Sequence, residues 1–263
     1  MGLLYRLAVP GWAQIHSGQA TFGKGLLAGY VFCILAAAVC FGTSACSFLL
    51  GMAFTCHSIS VYEVALRSSA GFKDRVFRVL LGSGLLGALV YLPVYSFATR
   101  FVDAVVIQQN RYPLQAGDVL LVRRLSYSQL TPRVGDVVQY QIAGDSVMGR
   151  TAAGIAAYLI QGARIDRVLA GPGQVITWEN GQLTVDGQRS PWRPLNPAGA
   201  PTSLSVTLPS DSWLLLPSTD INTAQFQPTQ ETWKTWSIVK TPQIEGRIVW
   251  RSWPWSRIGF VDD

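Results

Sequence analysis

Gly25 to Tyr62, GLLAGYVFCILAAAVCFGTSACSFLLGMAFTCHSISVY, runs for 38 residues without an Asp, Glu, Lys or Arg. At ~1.5 Å per helical residue, one helix of that length would be nearly twice the ~30 Å hydrocarbon thickness of a bilayer. Two shorter spans fit better. The break falls at Gly42-Thr43-Ser44, where small and turn-prone residues cluster. A second charge-free run, Val79 to Thr99, supplies a third span. Pro93 near its end is expected to bend that span or mark its exit, as membrane helices tolerate.

The rest of the composition agrees. Apolar residues make up 49% of the 263 and charged residues only 14%, against roughly 25% charged in soluble domains. A mean hydropathy of +0.26 excludes a disordered chain and argues against an ordinary soluble enzyme. The net charge of +6 would suit nucleic acid or an anionic lipid surface, and its distribution decides between them. Residues 1–99 carry six Lys/Arg against Glu63 and Asp74, and residues 100–263 carry fifteen against thirteen acids. The basic surplus flanks the apolar segments, so it is a topology signal and no nucleic-acid partner is expected. Arg67, Lys73, Arg75 and Arg78 lie between spans two and three with Asp74 as the one acid among them, which places that loop in the cytoplasm. Three spans then put the amino terminus in the cytoplasm and everything after about residue 100 outside it. The expected location is the inner (cytoplasmic) membrane, multi-pass, with membrane lipid as a partner. Pro10-Gly11 interrupts any apolar core at the start, so no cleavable leader is expected.

Cys33, Cys40, Cys46 and Cys56 all sit in the first apolar run, at no metal spacing, and read as small buried hydrophobes. No metal site or cofactor is expected. His16 and His57 are the two histidines, so residues 100–263 cannot hold a Ser-His-Asp or Cys-His site. The stretch Pro10-Gly11-Trp12-Ala13-Gln14-Ile15-His16-Ser17-Gly18-Gln19, followed by Lys24-Gly25, resembles a short motif at the start of small bacterial membrane modules. Its glycines permit close helix packing, a structural role.

Beyond residue 100 the pattern changes to short alternating or β-branched runs between turn signals. Strands are predicted over Asp118–Arg123, Asp136–Ile142, Gln174–Trp178, Gln182–Val185, Ser203–Leu208, Trp213–Leu216 and Gly246–Trp250. Glu179-Asn180-Gly181 is a hairpin turn, because Asn-Gly favours positive φ. The Ala-rich segment Thr151 to Ile160 is predicted as a short helix. Eight of the nine tryptophans lie here, and indoles serve either the membrane–water interface or the core. The chain is therefore expected to be mostly β and membrane-anchored: a membrane domain over 1–99 and a β domain over 100–263.

The order of these pieces resembles the type I signal peptidase family of membrane-anchored Ser-Lys proteases. The resemblance runs from about Val79 to Phe260. Gly117-Asp118-Val119-Leu120-Leu121-Val122 is similar to the family's strand after its nucleophile, and Arg133-Val134-Gly135-Asp136-Val137-Val138 to the next strand. Arg167-Val168-Leu169-Ala170-Gly171-Pro172-Gly173 resembles the segment that carries the general base, and Asn180 to Gly187 the hairpin after it. Gly246-Arg247 with Trp253-Pro254 and Arg257-Ile258-Gly259 resembles the closing strand. The resemblance implies a signal-peptidase-like β domain outside the cytoplasm, binding substrate as an added strand.

It also implies where the chemistry should be, and there the residues differ. Gln109 occupies the nucleophile position, Asp166 the general-base position and Ile107 the position of the oxyanion hydroxyl. From Arg100 to Leu125 there is no Ser, and no Lys lies between residues 74 and 233. The later Gly-Asp-Asn-type segment becomes Pro217-Ser218-Thr219-Asp220. A Ser-Lys dyad needs a hydroxyl to attack and a neutral amine to take its proton. An amide is a poor nucleophile, and a carboxylate would repel a developing oxyanion. The expectation is a degenerate bacterial-type member with no catalytic residues, binding or organising signal-peptide-like segments or membrane proteins. Two alternatives stand beside it. One is an active serine peptidase with a relocated site, for which Ser126, Ser128, Ser146 and Ser218 are the serines to weigh. The other is a structural assembly factor acting through the first two spans. Oligomeric state stays open.

Overall fold

The structure is a computed structural model. It describes residues 9–66, 71–108, 114–124, 131–151, 154–194, 202–216, 227–228 and 230–261. The chain divides into two compact units, Met1–Arg100 and Phe101–Asp263.

The first unit is helical: α1 (Trp12–His16), α2 (Ala20–Val39), α3 (Ser44–Leu66), α4 (Phe72–Leu86) and α5 (Leu92–Phe101). Three stretches are long and apolar enough to cross a membrane: Ala20–Val39, Ser44–Glu63 and Phe72–Phe101. The break between the first two falls where the small residues predict it. Gly42 takes φ 86°, and the Thr43 hydroxyl donates to the Cys40 carbonyl at 2.7 Å. The third stretch departs from expectation. It begins at Phe72, and Pro93 does not end it. A single π turn over Gly87–Tyr91 joins α4 to α5, with Pro93 in the first turn of α5. Proline lacks an N–H and crowds the preceding turn, so widening that turn lets the helix continue past it.

The amino-terminal motif folds back on the first two spans. Gly11 takes φ 80°, and a Cβ there would overlap the Gly23 carbonyl. In return, a Cβ on Gly23 would come within 2.5 Å of the Gly11 oxygen. Gly18 and Gly25 meet nothing within 4 Å, so the close approach belongs to Gly11 alone among the motif's glycines. The Gly11 N–H donates to Ser60 Oγ at 3.0 Å. Ser60 Oγ donates to Gln14 Oε1 at 3.0 Å, and Gln14 Nε2 to the Ser60 carbonyl at 3.2 Å. Gln14 and Ser60 are both buried, where an unpartnered amide would be costly. All four cysteines are free thiols, Cys33 and Cys46 buried.

The second unit is built of antiparallel strands. In chain order they are β1 (Val102–Val106), β2 (Val119–Arg124), β3 (Val137–Thr151), β4 (Gly154–Ala170), β5 (Val175–Glu179) and β6 (Gln182–Val185). β7 (Gln188–Arg189), β8 (Ser203–Thr207), β9 (Ser212–Leu215), β10 (Gln227–Pro228), β11 (Ile238–Lys240) and β12 (Ile244–Trp253) follow, with helix α6 (Gln230–Ser237) before β11. The main sheet has the order β1-β2-β12-β3-β4-β9-β11, with β10 alongside β3. A smaller sheet has the order β7-β6-β5-β8. Every strand predicted from sequence is present, though the one expected to end at Ile142 runs on to Thr151. Asn180 and Gly181 take φ 50° and 78° in the expected hairpin turn.

The segment predicted as a helix is strand. Thr151 closes a long hairpin against Gly154, and the pairing runs on through Arg150↔Ile155 to Asp145↔Ile160. Alanine favours helix, but propensity is a weak prior once a neighbouring strand offers a continuous ladder. The strand β1 and helix α6 carry weak local signals and were not predicted.

Apolar side chains separate into three clusters. The smaller sheet, β9 and α6 enclose Ile176, Trp178, Leu204, Leu214, Trp233 and Trp236. One face of the main sheet buries Ile107, Leu114, Leu120, Val122, Val137, Ile165 and Ile248. The other cluster holds Val138, Tyr140, Val168, Trp213, Leu215, Val239 and Ile244. Core packing thus claims Trp178, Trp213, Trp233 and Trp236, while Trp192, Trp253 and Trp255 are exposed.

Candidate functional site

Two turns frame the region where the chemistry is expected. In each, a glycine with positive φ precedes an aspartate: Gly117 (φ 90°) before Asp118, and Gly135 (φ 96°) before Asp136. Asp118 Oδ2 accepts the Gln115 N–H at 2.9 Å, and Asp136 Oδ2 accepts the Arg133 N–H at 2.9 Å. The backbone closes both turns in the same sense, Asp118 N–H to the Gln115 carbonyl and Asp136 N–H to the Arg133 carbonyl, each at 3.0 Å. The repeated Gly-Asp pair is therefore turn chemistry: glycine supplies the left-handed residue and aspartate caps an otherwise orphaned N–H. Asp118 does more. Fully buried, it pairs with Arg257 at 2.7 Å and Arg251 at 3.7 Å. Asp136 pairs with Arg247 at 3.5 Å.

Ile107 prolongs the β1–β2 ladder. Its N–H donates to the Asp118 carbonyl and its carbonyl accepts from Gly117, both at 2.8 Å. The side chain is buried with Leu114, Leu120 and Val122. At Ile107, where the sequence resemblance leads one to expect an oxyanion hydroxyl, an apolar side chain fills the core.

Asp166 lies opposite Val138 across the β3–β4 ladder. It is fully buried, and Tyr140 Oη donates to its Oδ2 at 3.0 Å. Strand alternation puts Val138, Tyr140, Asp166 and Val168 on one face, so the carboxyl points toward an apolar cluster and meets a phenol. Tyr140 was not singled out from sequence. The available signal was Asp166 itself: inward alternation in Ile165-Asp166-Arg167-Val168 demands a buried partner. Gln109 lies outside the described residues, as do Ser126, Ser128 and Pro217 to Asp220.

The register also locates Ser146. It pairs with Leu159, eight residues along β3 from Val138. At ~3.3 Å per residue that is roughly 25 Å from the row holding Asp166, so these two do not share a site. Among the described residues no serine hydroxyl has a lysine partner; Lys234 pairs with Glu231 at 3.7 Å on α6. Among the described residues no group of three His, Cys, Asp or Glu side chains could hold a metal ion.

A polar cleft of about 380 Å³ lies over the sheet beside β1, lined by Asp103, Val122, Arg124, Gln139, Pro242, Ile244 and Glu245. Arg124 pairs with Asp103 at 2.8 Å, and the Gln139 and Gln141 amides donate to Glu245 at 2.6 and 3.0 Å. Among the described residues β1 pairs on one side only, with β2. Since Ile107 bonds toward β2, ladder alternation turns the N–H groups of Ala104 and Val106 outward. Asp103 Oδ1 caps the Ala104 N–H at 2.9 Å. This edge and cleft can accept an extended peptide through backbone bonds.

A family model described as signal peptidase, peptidase S26, matches residues 83–239. No curated protein matches the chain.

Proposed function

The chain belongs to the signal peptidase S26 family of serine peptidases, and from that membership we propose that it is a non-hydrolytic member that binds exported or membrane polypeptides. The observation that carries the reading is Asp166: the general-base position holds a buried carboxyl engaged with Tyr140, not an amine poised beside a hydroxyl. Gln109 at the nucleophile position supports it. So does the retention of both Gly-Asp turns, which build the sheet and do no chemistry. The proposed protein is multi-pass in the inner membrane, its β unit on the extracytoplasmic side, holding a signal-peptide-like segment as a strand added to β1.

The test uses the purified full chain in detergent with a signal-peptide-bearing precursor. Saturable binding without cleavage is expected. Val106→Pro removes one outward N–H while sparing the β2 ladder and should weaken binding roughly three- to ten-fold, the worth of one hydrogen bond. Turnover abolished by a single Ser→Ala change overturns the proposal in favour of a relocated peptidase. Partner capture that needs only residues 1–70 points instead to assembly through the first two spans.

A further inference from the structure

A second cleft, of about 300 Å³, lies at the end of the smaller sheet. Its floor is Trp178 and Leu183, both buried and paired across β5 and β6. The chain leaving β7 straps across it: the Ser190 N–H donates to the Leu183 carbonyl at 2.9 Å, and the Trp192 N–H to Ser190 Oγ at 3.2 Å. Trp192 forms one wall and is held in place. The guanidinium carbon of buried Arg167 sits 5.6 Å from its ring centroid, and a Cβ on Gly135 would come within 2.5 Å of the indole. Arg189 and Arg193 stand at the rim, both exposed. Among the described residues no carboxylate lines the cleft, and neither of these arginines has an ion-pair or side-chain hydrogen-bond partner.

Two unneutralised guanidiniums beside the exposed Trp192 indole suit an anion joined to an apolar body. Guanidinium matches the oxygens of a phosphate diester two at a time, and indole with arginine is the pairing of the membrane–water interface. Among the described residues three helices are of membrane-spanning length, so the anion always at hand is lipid. The geometry points to this cleft as a binding site for the phosphodiester headgroup of an anionic phospholipid.

The full chain, purified in uncharged detergent, can be titrated by native mass spectrometry with phosphatidylglycerol and with phosphatidylcholine. Phosphatidylglycerol should bind preferentially. The double variant Arg189→Ala/Arg193→Ala should weaken it roughly 30-fold, the loss for two basic residues facing anionic lipid, with an unchanged melting temperature because both side chains are exposed. Arg189→Lys/Arg193→Lys keeps the charge without the fork and should recover part of the loss. Equal binding of the two lipids, or an unaltered affinity in the alanine variant, overturns the proposal. So does glycerol phosphate or an acidic peptide binding as tightly as phosphatidylglycerol with the same arginine dependence, since each would assign the cleft to a soluble ligand.

Discussion

Asp118, in the turn that leads into β2, and Asp166, on β4, are both fully buried, yet their surroundings differ in kind. Asp118 belongs to a Gly-Asp turn, caps Gln115 and faces the guanidiniums of Arg251 and Arg257, brought from the far end of the chain by β12 and the turn after it. Asp166 faces the neutral hydroxyl of Tyr140 beside an apolar cluster. A carboxylate with two opposing charges locks three segments together. The Tyr140–Asp166 bond joins two neighbouring strands of one ladder. The contrast separates a carboxylate that ties distant segments together from one bonded within a single strand pair, β3–β4.

That comparison can be tested by taking each carboxylate's partners away. Asp118→Ala should cost the most, about 3–5 kcal/mol in chemical denaturation of the full chain, since it strands Arg251 in the interior without its counter-charge. A loss near zero would mean that the ion network does not hold the fold. Tyr140→Phe keeps shape and removes one donor to Asp166, and should cost about 2 kcal/mol. If it cost as much as Asp118→Ala, the two sites would be alike and the distinction would fail. Arg257→Ala leaves Arg251 beside Asp118, and its side chain is 27% exposed; about 1–2 kcal/mol is expected after allowing for solvent screening. The exposed pair Asp103–Arg124 sets the floor: Asp103→Ala should change stability by less than about 1 kcal/mol. A larger effect there would show that the cleft beside β1 is part of the structural frame.

Much of the fold was legible because its signals are local. The charge-free run, Gly42, Asn180-Gly181 and the Gly-Asp turns each depend on residues within a few positions of one another, and each appears where expected. At Pro93 a bend and an exit are both open from sequence; the helix runs on past it, with one π turn over Gly87–Tyr91 just before it. The Ala-rich stretch after Thr151 misled because its conformation is decided by pairing with β3, not by its own preference. Of the candidate site, the identities of Ile107 and Asp166 are plain in the sequence, but the partner of Asp166 is not: Tyr140 is 26 residues away, and the hydrogen bond that joins them is a product of register.

The order of amino acids alone was enough to declare a greasy helical start, a β-rich remainder and the absence of a serine–lysine couple at the inherited positions, because composition, turn preference and residue identity need no partner. Only the folded chain could decide which aspartate braces the sheet, which meets a phenol across a strand pair, and which arginines are left facing solvent. Those outcomes depend on contacts between residues tens to more than a hundred positions apart, and long-range pairing in strands leaves no trace in the spacing of any one segment.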